Sequence, residues 1–168
     1  MYRDVLTVPN QGIVYDSGWQ SNAIVDRCKI LLAAFVGNLT PVEGIQYLAL
    51  GRGDDAWDKN GPGTVNPAII GLVDQIPTKI RKEDLQFTYL NKNDQPVAGP
   101  EPTVKLQISG TLGPGQPPLP DDQQVYHLRE FGLFANFNGV DYMINCVRHP
   151  VIFKEPNATL ERTVRLYF

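Results

Sequence analysis

Gln124–Phe168 reads QVYHLREFGLFANFNGVDYMINCVRHPVIFKEPNATLERTVRLYF. Two runs of β-forming residues, Val125–Phe137 and Val140–Val147, flank Asn138-Gly139. Asn-Gly between such runs marks a two-residue hairpin, because a type I′ turn needs φ > 0 at both central residues. The closing run, Thr159–Phe168, sets Leu160, Val164, Leu166 and Phe168 at even positions, with Glu161, Thr163, Arg165 and Tyr167 between them. That alternation predicts a half-buried strand whose apolar face is interrupted by Arg162, and it places Phe168 inside a sheet.

Moving outward, Thr103–Leu112 reads as a strand with Val104, Leu106, Ile108 and Gly110 on one side. Gly113–Asp122, GPGQPPLPDD, is a surface loop or extended spacer, since its prolines cannot continue a central strand. Thr78–Leu90 is a long strand that turns through Asn91–Asp94. Asn66-Pro67 starts a helix whose apolar side is Ile69, Ile70, Leu72, Val73 and Ile76, and Pro77 ends it. A polar loop, Arg52–Thr64, follows a strand at Ile45–Gly51. Ser21–Val36 is the clearest helix, with Ser21 as N-cap and Gly37 as C′ residue. Its stripe of Ile24, Val25, Cys28, Leu31, Leu32 and Phe35 recurs at helical spacing. Ile30, Ala33, Ala34 and Val36 lie outside that stripe and predict cover on a second side, which another subunit could provide. Met1–Trp19 is weakly patterned. It either packs along its own domain or extends onto a neighbour.

These elements predict an α+β chain, mainly antiparallel β and sandwich-like, with two helices in the N-terminal half. The division is an extended N-terminal arm, residues 1–20, and a single β-rich domain, residues 21–168. A length of 168 residues fits that count, at about 100–200 residues per domain.

The order of three motifs carries a resemblance. Tyr47-Leu48-Ala49-Leu50-Gly51 precedes an acidic loop, Leu128-Arg129-Glu130-Phe131-Gly132-Leu133-Phe134 follows, and Leu160-Glu161-Arg162-Thr163-Val164-Arg165-Leu166-Tyr167-Phe168 closes the chain. Over Ile45–Phe168 this resembles a β-rich module of bacteriophage tail proteins, including tail-fibre and baseplate parts, and of phage-tail-like contractile injection systems. In that module a "YIALG"-like strand precedes an "LREIGLF"-like strand and a "TL…R…F" ending. The resemblance implies a structural subunit of a virion tail or tail-like particle, assembled in the bacterial cytoplasm. Implied partners are further copies in a threefold or sixfold ring and other tail, baseplate or sheath and tube proteins.

Composition limits the alternatives. Lys and Arg number 15 against 18 Asp and Glu, a net charge of −3, so no basic field invites nucleic acid. With 14 Pro and 15 Gly the chain favours turns over long helices. Met1–Leu6 lacks the basic start and apolar core of a signal peptide, and no run of about 18 apolar residues predicts direct membrane insertion. Cys28 and Cys146 read as buried free thiols.

Catalytic, cofactor-binding and metal-ligating residues are expected to be none. Gly51-Arg52-Gly53-Asp54 lacks the third glycine and the Lys-Ser/Thr pair of a phosphate loop, and Arg52-Gly53-Asp54 as an integrin tripeptide is a chance occurrence. Asp54, Asp55 and Asp58 lack EF-hand spacing and read as a solvated acidic loop. His127 and His149 have no zinc-site pattern, and His149, before Pro150 at a strand end, reads as structural. Ser109 has no nucleophile elbow around it. Arg129 and Glu130, adjacent in a strand, point to opposite faces, and Glu130 is expected in a structural ion pair with Arg162 or Arg165.

Three functions are open. The first is a structural subunit in a ring or adaptor at the baseplate or shaft end of a tail or injection particle. In it a rigid β core lets the N-terminal arm, the Arg52–Thr64 loop and the Gly113–Asp122 loop reach neighbours. The second is a receptor- or carbohydrate-binding tail-fibre module with Trp57 as its stacking residue. The third is an enzyme, a hydrolase, and the reading is against it.

Overall fold

The computed structural model describes residues 1–39, 41–99, 101–119 and 123–168. In chain order its elements are β1 (Tyr2–Val8), β2 (Gly12–Asp16), β3 (Ala23–Ile24), α1 (Asp26–Val36), β4 (Val42–Gly51) and α2 (Trp57–Asn60). Then come β5 (Thr78–Arg81), a 3-10 turn (Lys82–Asp84), β6 (Gln86–Tyr89), β7 (Lys105–Leu112), β8 (Tyr126–Phe137), β9 (Val140–Lys154) and β10 (Thr159–Tyr167). Among the described residues the strands form two five-stranded sheets, β2-β1-β10-β7-β6 and β3-β9-β8-β4-β5, with antiparallel pairing throughout. Mainly antiparallel β with two helices is the predicted class.

The Asn-Gly turn is where the sequence places it. Asn138 and Gly139 have φ of 51° and 79°, Phe137 pairs with Val140, and the Gly139 N–H donates to Asn136 Oδ1 at 2.9 Å. β9 continues past the predicted Val147 to Lys154, carrying His149-Pro150 through its middle. Leu128 pairs with Ile152 and Glu130 with Arg148, so His149–Val151 face one residue of β8. This bulge accommodates a proline that offers no ladder N–H.

Between the sheets lies one core, built from Leu6, Leu48, Leu50, Ile108, Leu128, Phe131, Leu133, Leu160 and Val164 among others. At 25–30 cal/mol per Å² of apolar surface, such burial is the main favourable contribution to the fold. Gly110 marks a close approach, for a Cβ there would stand 2.9 Å from Leu85 Cδ2. On the other face of β4, Ala49 joins Val25, Phe134, Met143 and Cys146 in a second cluster that Val65, Ile69 and Leu72 cover.

Several expectations are corrected. Residues 1–20 are no extended arm. Tyr2, Asp4, Leu6 and Val8 point inward from β1, which lies between β10 and β2 with Tyr2 opposite Val164. Asp4 in a core position is what hid the period-two pattern. The predicted helix at Ser21 begins at Asp26 instead, because Ala23 and Ile24 pair with Cys146 and Asn145 on β9. Its left-handed C-terminal residue is Asn38, φ 56°, with Leu39 N–H donating to Ala34 O in a Schellman arrangement, while Gly37 stays at φ −75°. Val25, Cys28, Leu31 and Ala34 are buried, but Leu32 and Phe35 of the predicted stripe are exposed.

The helix predicted after Asn66-Pro67 does not form, and the second helix is the short α2 inside the Arg52–Thr64 loop. Asn66 Oδ1 does cap Ala68 N–H at 3.0 Å. Beyond it, the N–H groups of Val73 and Asp74 go to Glu130, and that of Ile76 to Asp74 Oδ1. Side-chain carboxylates outcompete the helical ladder there. Thr78–Leu90 is two strands in two sheets, joined by the Lys82–Asp84 turn that crosses the sandwich. Gly113–Leu119 folds back on the body, with Gly115 N–H on Pro156 O and Lys154 Nζ on Gly113 O. The rest of that predicted loop, 120–122, lies outside the described residues. Finally, Leu160, Val164 and Leu166 are buried as expected, but Phe168 is 61% exposed and only its N–H is held, by Val104 O.

Candidate functional site

Two surfaces stand out, one polar and one apolar. The polar one forms where β4 and β8 end. Arg129 is 3% exposed and grips Asp58 with Nε and Nη2 at 2.8 and 2.7 Å. Its Nη1 donates to Arg52 O at 2.9 Å and forms an ion pair with Asp55 Oδ1, also at 2.9 Å. Hydrogen bonding from Arg129 holds the Asp58 carboxyl below its usual range. The acidic loop is therefore tethered at Asp55 and Asp58, while Asp54, Asp55 and Asp58 stay exposed as the solvated reading expects.

Glu130, fully buried, accepts the N–H groups of Asp74 at 2.7 Å and Val73 at 3.1 Å. Burial raises its pKa, and these two hydrogen bonds offset only part of that. It pairs with neither Arg162 nor Arg165. Arg162 is committed to Asp4, and Arg165 to Gln107 and Asp94. Burial pushes the Asp74 carboxyl up, but N–H donors from Arg52 and Ile76 and the Arg52 side chain outweigh it, so Asp74 titrates low. Arg129 and Glu130, adjacent where the pairing with β9 shifts register, are held by different segments, Arg129 by Arg52, Asp55 and Asp58 and Glu130 by Val73 and Asp74.

Trp57 is half-buried, with the Arg148 guanidinium 5.0 Å from its ring. Gly53, at φ +61°, passes so close that a Cβ would lie 2.6 Å from the indole. Asp54 caps Ala56 N–H at 2.8 Å. Arg52, Asp54, Asp74, Gln75 and His127 border a cleft of about 510 Å³. Its carboxylates are already engaged by donors of the chain, so this arrangement chiefly stiffens a loop. His127 itself lies edge-on to Phe153 at 5.1 Å.

The apolar surface is a groove of about 430 Å³ where the sandwich opens beneath α1. Leu32 and Phe35 of α1, Phe87 and Tyr89 of β6, and Leu166 and Phe168 line it, with Glu43 and Lys82 as its charged residues. Exposure continues along α1, where Phe35 is 71% and Val36 83% exposed. The groove borders the β6 edge of its sheet. At the opposite edge β2 is exposed along its whole length and presents Ile13, Val14 and Tyr15.

Of the residues singled out in the sequence, Arg129, Asp55, Asp58 and Trp57 come together, with Glu130 beside them. Cys28 and Cys146 are buried free thiols, and burial pushes the Cys146 thiol up to about 12. Asp4, Asp74 and Arg148 were missed, since nothing local distinguishes a surface aspartate from one that a distant arginine will claim. The exposed side of α1 was legible only in part: Ile30 and Val36 lay outside the stripe, but Leu32 and Phe35 were read as part of it. No helix among the described residues is long and apolar enough to cross a membrane. Comparison of the chain with family models, with curated proteins and with solved structures finds no match in any of the three.

Proposed function

We propose that the chain is a structural subunit of a phage tail or phage-tail-like contractile injection particle, joining a ring or adaptor at the baseplate or shaft end. The motif order of β4, β8 and β10 supports that reading. The observation that carries it is the pair of unlike apolar surfaces on opposite edges of one sheet: the α1 groove and the β2 edge. A ring needs heterologous contacts, in which one surface meets a different one on the next copy, and unlike surfaces on opposite sides suit it. The cross-linked Arg52–Asp74 region supplies a stiff body for such a contact. The carbohydrate- or receptor-binding alternative gains less, because Arg148 already occupies a face of Trp57.

The test is incorporation. A tagged wild-type copy and a Phe35→Glu copy are expressed in the source bacterium, and particles are purified by sedimentation and read by mass spectrometry. The wild type is expected in the particles, and the variant is expected folded by circular dichroism yet depleted at least tenfold. A wild-type chain absent from every tail-like particle overturns the proposal. Equal incorporation of Phe35→Glu removes the groove from it.

A further inference from the structure

The inter-sheet core encloses a charged cluster that the assembly reading leaves unused. Arg162 on β10, fully buried, holds Asp4 of β1 through Nε and Nη2, the latter at 2.8 Å. The same Nη2 lies 2.9 Å from Nε2 of His149, which is 3% exposed on β9 of the opposite sheet. Nδ1 of that histidine is 2.8 Å from Pro150 O. A guanidinium only donates and a carbonyl only accepts, so both contacts demand one tautomer. The proton sits on Nδ1, and the Nε2 lone pair receives Arg162.

We infer that His149 is a pH-sensitive latch between the two sheets: neutral, it accepts Arg162 and closes the core, and protonated, it expels Arg162 and loosens the β1–β2 hairpin. A proton added at Nε2 points at the Nη2 hydrogen, so the hydrogen bond is lost. Two cations then face each other at hydrogen-bond distance in a core where charge is poorly screened. Arg162 stays charged at any relevant pH, so one of the two must move. Its other ligand is Asp4, which passes that movement to β1.

The groups facing the ring are few. Tyr2 and Asp4 come from β1, with ring centroids 6.3 Å apart for Tyr2 and His149. Arg162 comes from β10, Phe131 of β8 lies 6.2 Å away, and Tyr15 of β2 stands behind Asp4 and Arg162. Arg148 and Glu130, next along β9 and β8, belong to the loop cluster around Trp57 and Asp74. Burial, then the charge of Arg162, lowers the His149 pKa to about 4, against smaller opposing effects of Asp4 and Pro150 O. The hairpin is the part that gives, because within its sheet β1 is paired to β10 on one side and only to the exposed edge strand β2 on the other. β8 and β9, in contrast, are zipped from Tyr126–Lys154 to Phe137–Val140.

Imidazole NMR of the whole chain tests this, with His127→Gln assigning the two histidines. His149 is expected as the Nδ1–H tautomer at pH 7, titrating near 4; titration at 6–6.5 overturns the latch. His149→Gln keeps an acceptor for Arg162 and a donor for Pro150 O but cannot charge. Between pH 7.5 and 4 the wild-type folding constant should fall about 100-fold more than that of the variant, and equal falls overturn the proposal. Hydrogen exchange, corrected for intrinsic rate, should open β1–β2 before β8 in acid, and the reverse order overturns the assignment to the hairpin. Should the variant not fold, the wild-type titration alone decides.

Discussion

Arg162 and Arg129 are both buried strand arginines that grip an aspartate through two nitrogens, yet their partners sit in different media. The side chains of Arg162 and Asp4 are 0% and 1% exposed, and those of Arg129 and Asp58 are 3% and 35%. Asp55, the second carboxylate on Arg129, is 90% exposed. Around Arg162 nothing but the Asp4, His149 and Phe131 geometry compensates the lost hydration, and the guanidinium lies 4.0 Å over the Phe131 ring. Around Arg129 water can re-solvate whatever a mutation uncovers. The first cluster joins two sheets, while the second fastens a surface loop. Burial of the partner, more than bond count, separates a core device from a loop anchor.

The largest expected effect follows from that contrast. Asp4→Ala leaves the Arg162 charge enclosed and should cost about 3–5 kcal/mol in urea unfolding. Asp4→Leu combined with Arg162→Met should be milder than Asp4→Ala, because it removes both charges. A single mutant that loses under 1 kcal/mol would erase the distinction between the two arginines.

Acid sharpens the comparison by separating the clusters in pH. His149 takes up its proton near 6.5 when unfolded and at about 4 when folded. Between those values the unfolded chain holds more protons, so stability falls as pH drops through that window, by about 3 kcal/mol in all. Asp58 and Asp74 are held below 3.8, so their share is present above that value and is lost only on further acidification. Glu130 has the opposite sign, since its raised pKa costs stability above the carboxylate range and relieves that cost in acid. Unfolding midpoints at pH 7.5, 5 and 4 should therefore report the core first, and a midpoint that is flat down to pH 4 would contradict the order.

A smaller effect is expected from Gly53→Ala, which puts a Cβ against Trp57 at a left-handed position and should cost about 1–3 kcal/mol. Its signature is faster proteolysis within Arg52–Thr64 with β1 unaffected. Gly139→Val strains the Asn-Gly turn by about 1–2 kcal/mol, and an unchanged melting temperature would show that the turn does not register β8 on β9. Asp58→Asn is the mildest, with an unfolding midpoint expected close to that of the wild type, because its partner keeps Asp55 and Arg52 O.

Local chemistry was enough for the Asn138-Gly139 turn, the alternation of Leu160, Val164 and Leu166, and the burial of Cys28 and Leu31. Each depends on φ preference or on a period read over a few residues, and such preferences act before the chain folds. The same logic failed wherever a distant group intervened. Asn66–Ile76 has the composition of a helix, but Glu130, more than 50 residues away, takes two of its amide hydrogens. Met1–Trp19 has the look of an arm because Asp4 breaks its alternation, and only Arg162, 158 positions on, makes that aspartate a core residue. By itself, then, the sequence determined an antiparallel β body with a helix near its start and a hairpin near its end. Which strands share a sheet, where buried charges find partners, and which apolar face stays uncovered were decided by tertiary structure, because burial and pairing depend on groups far apart in the chain.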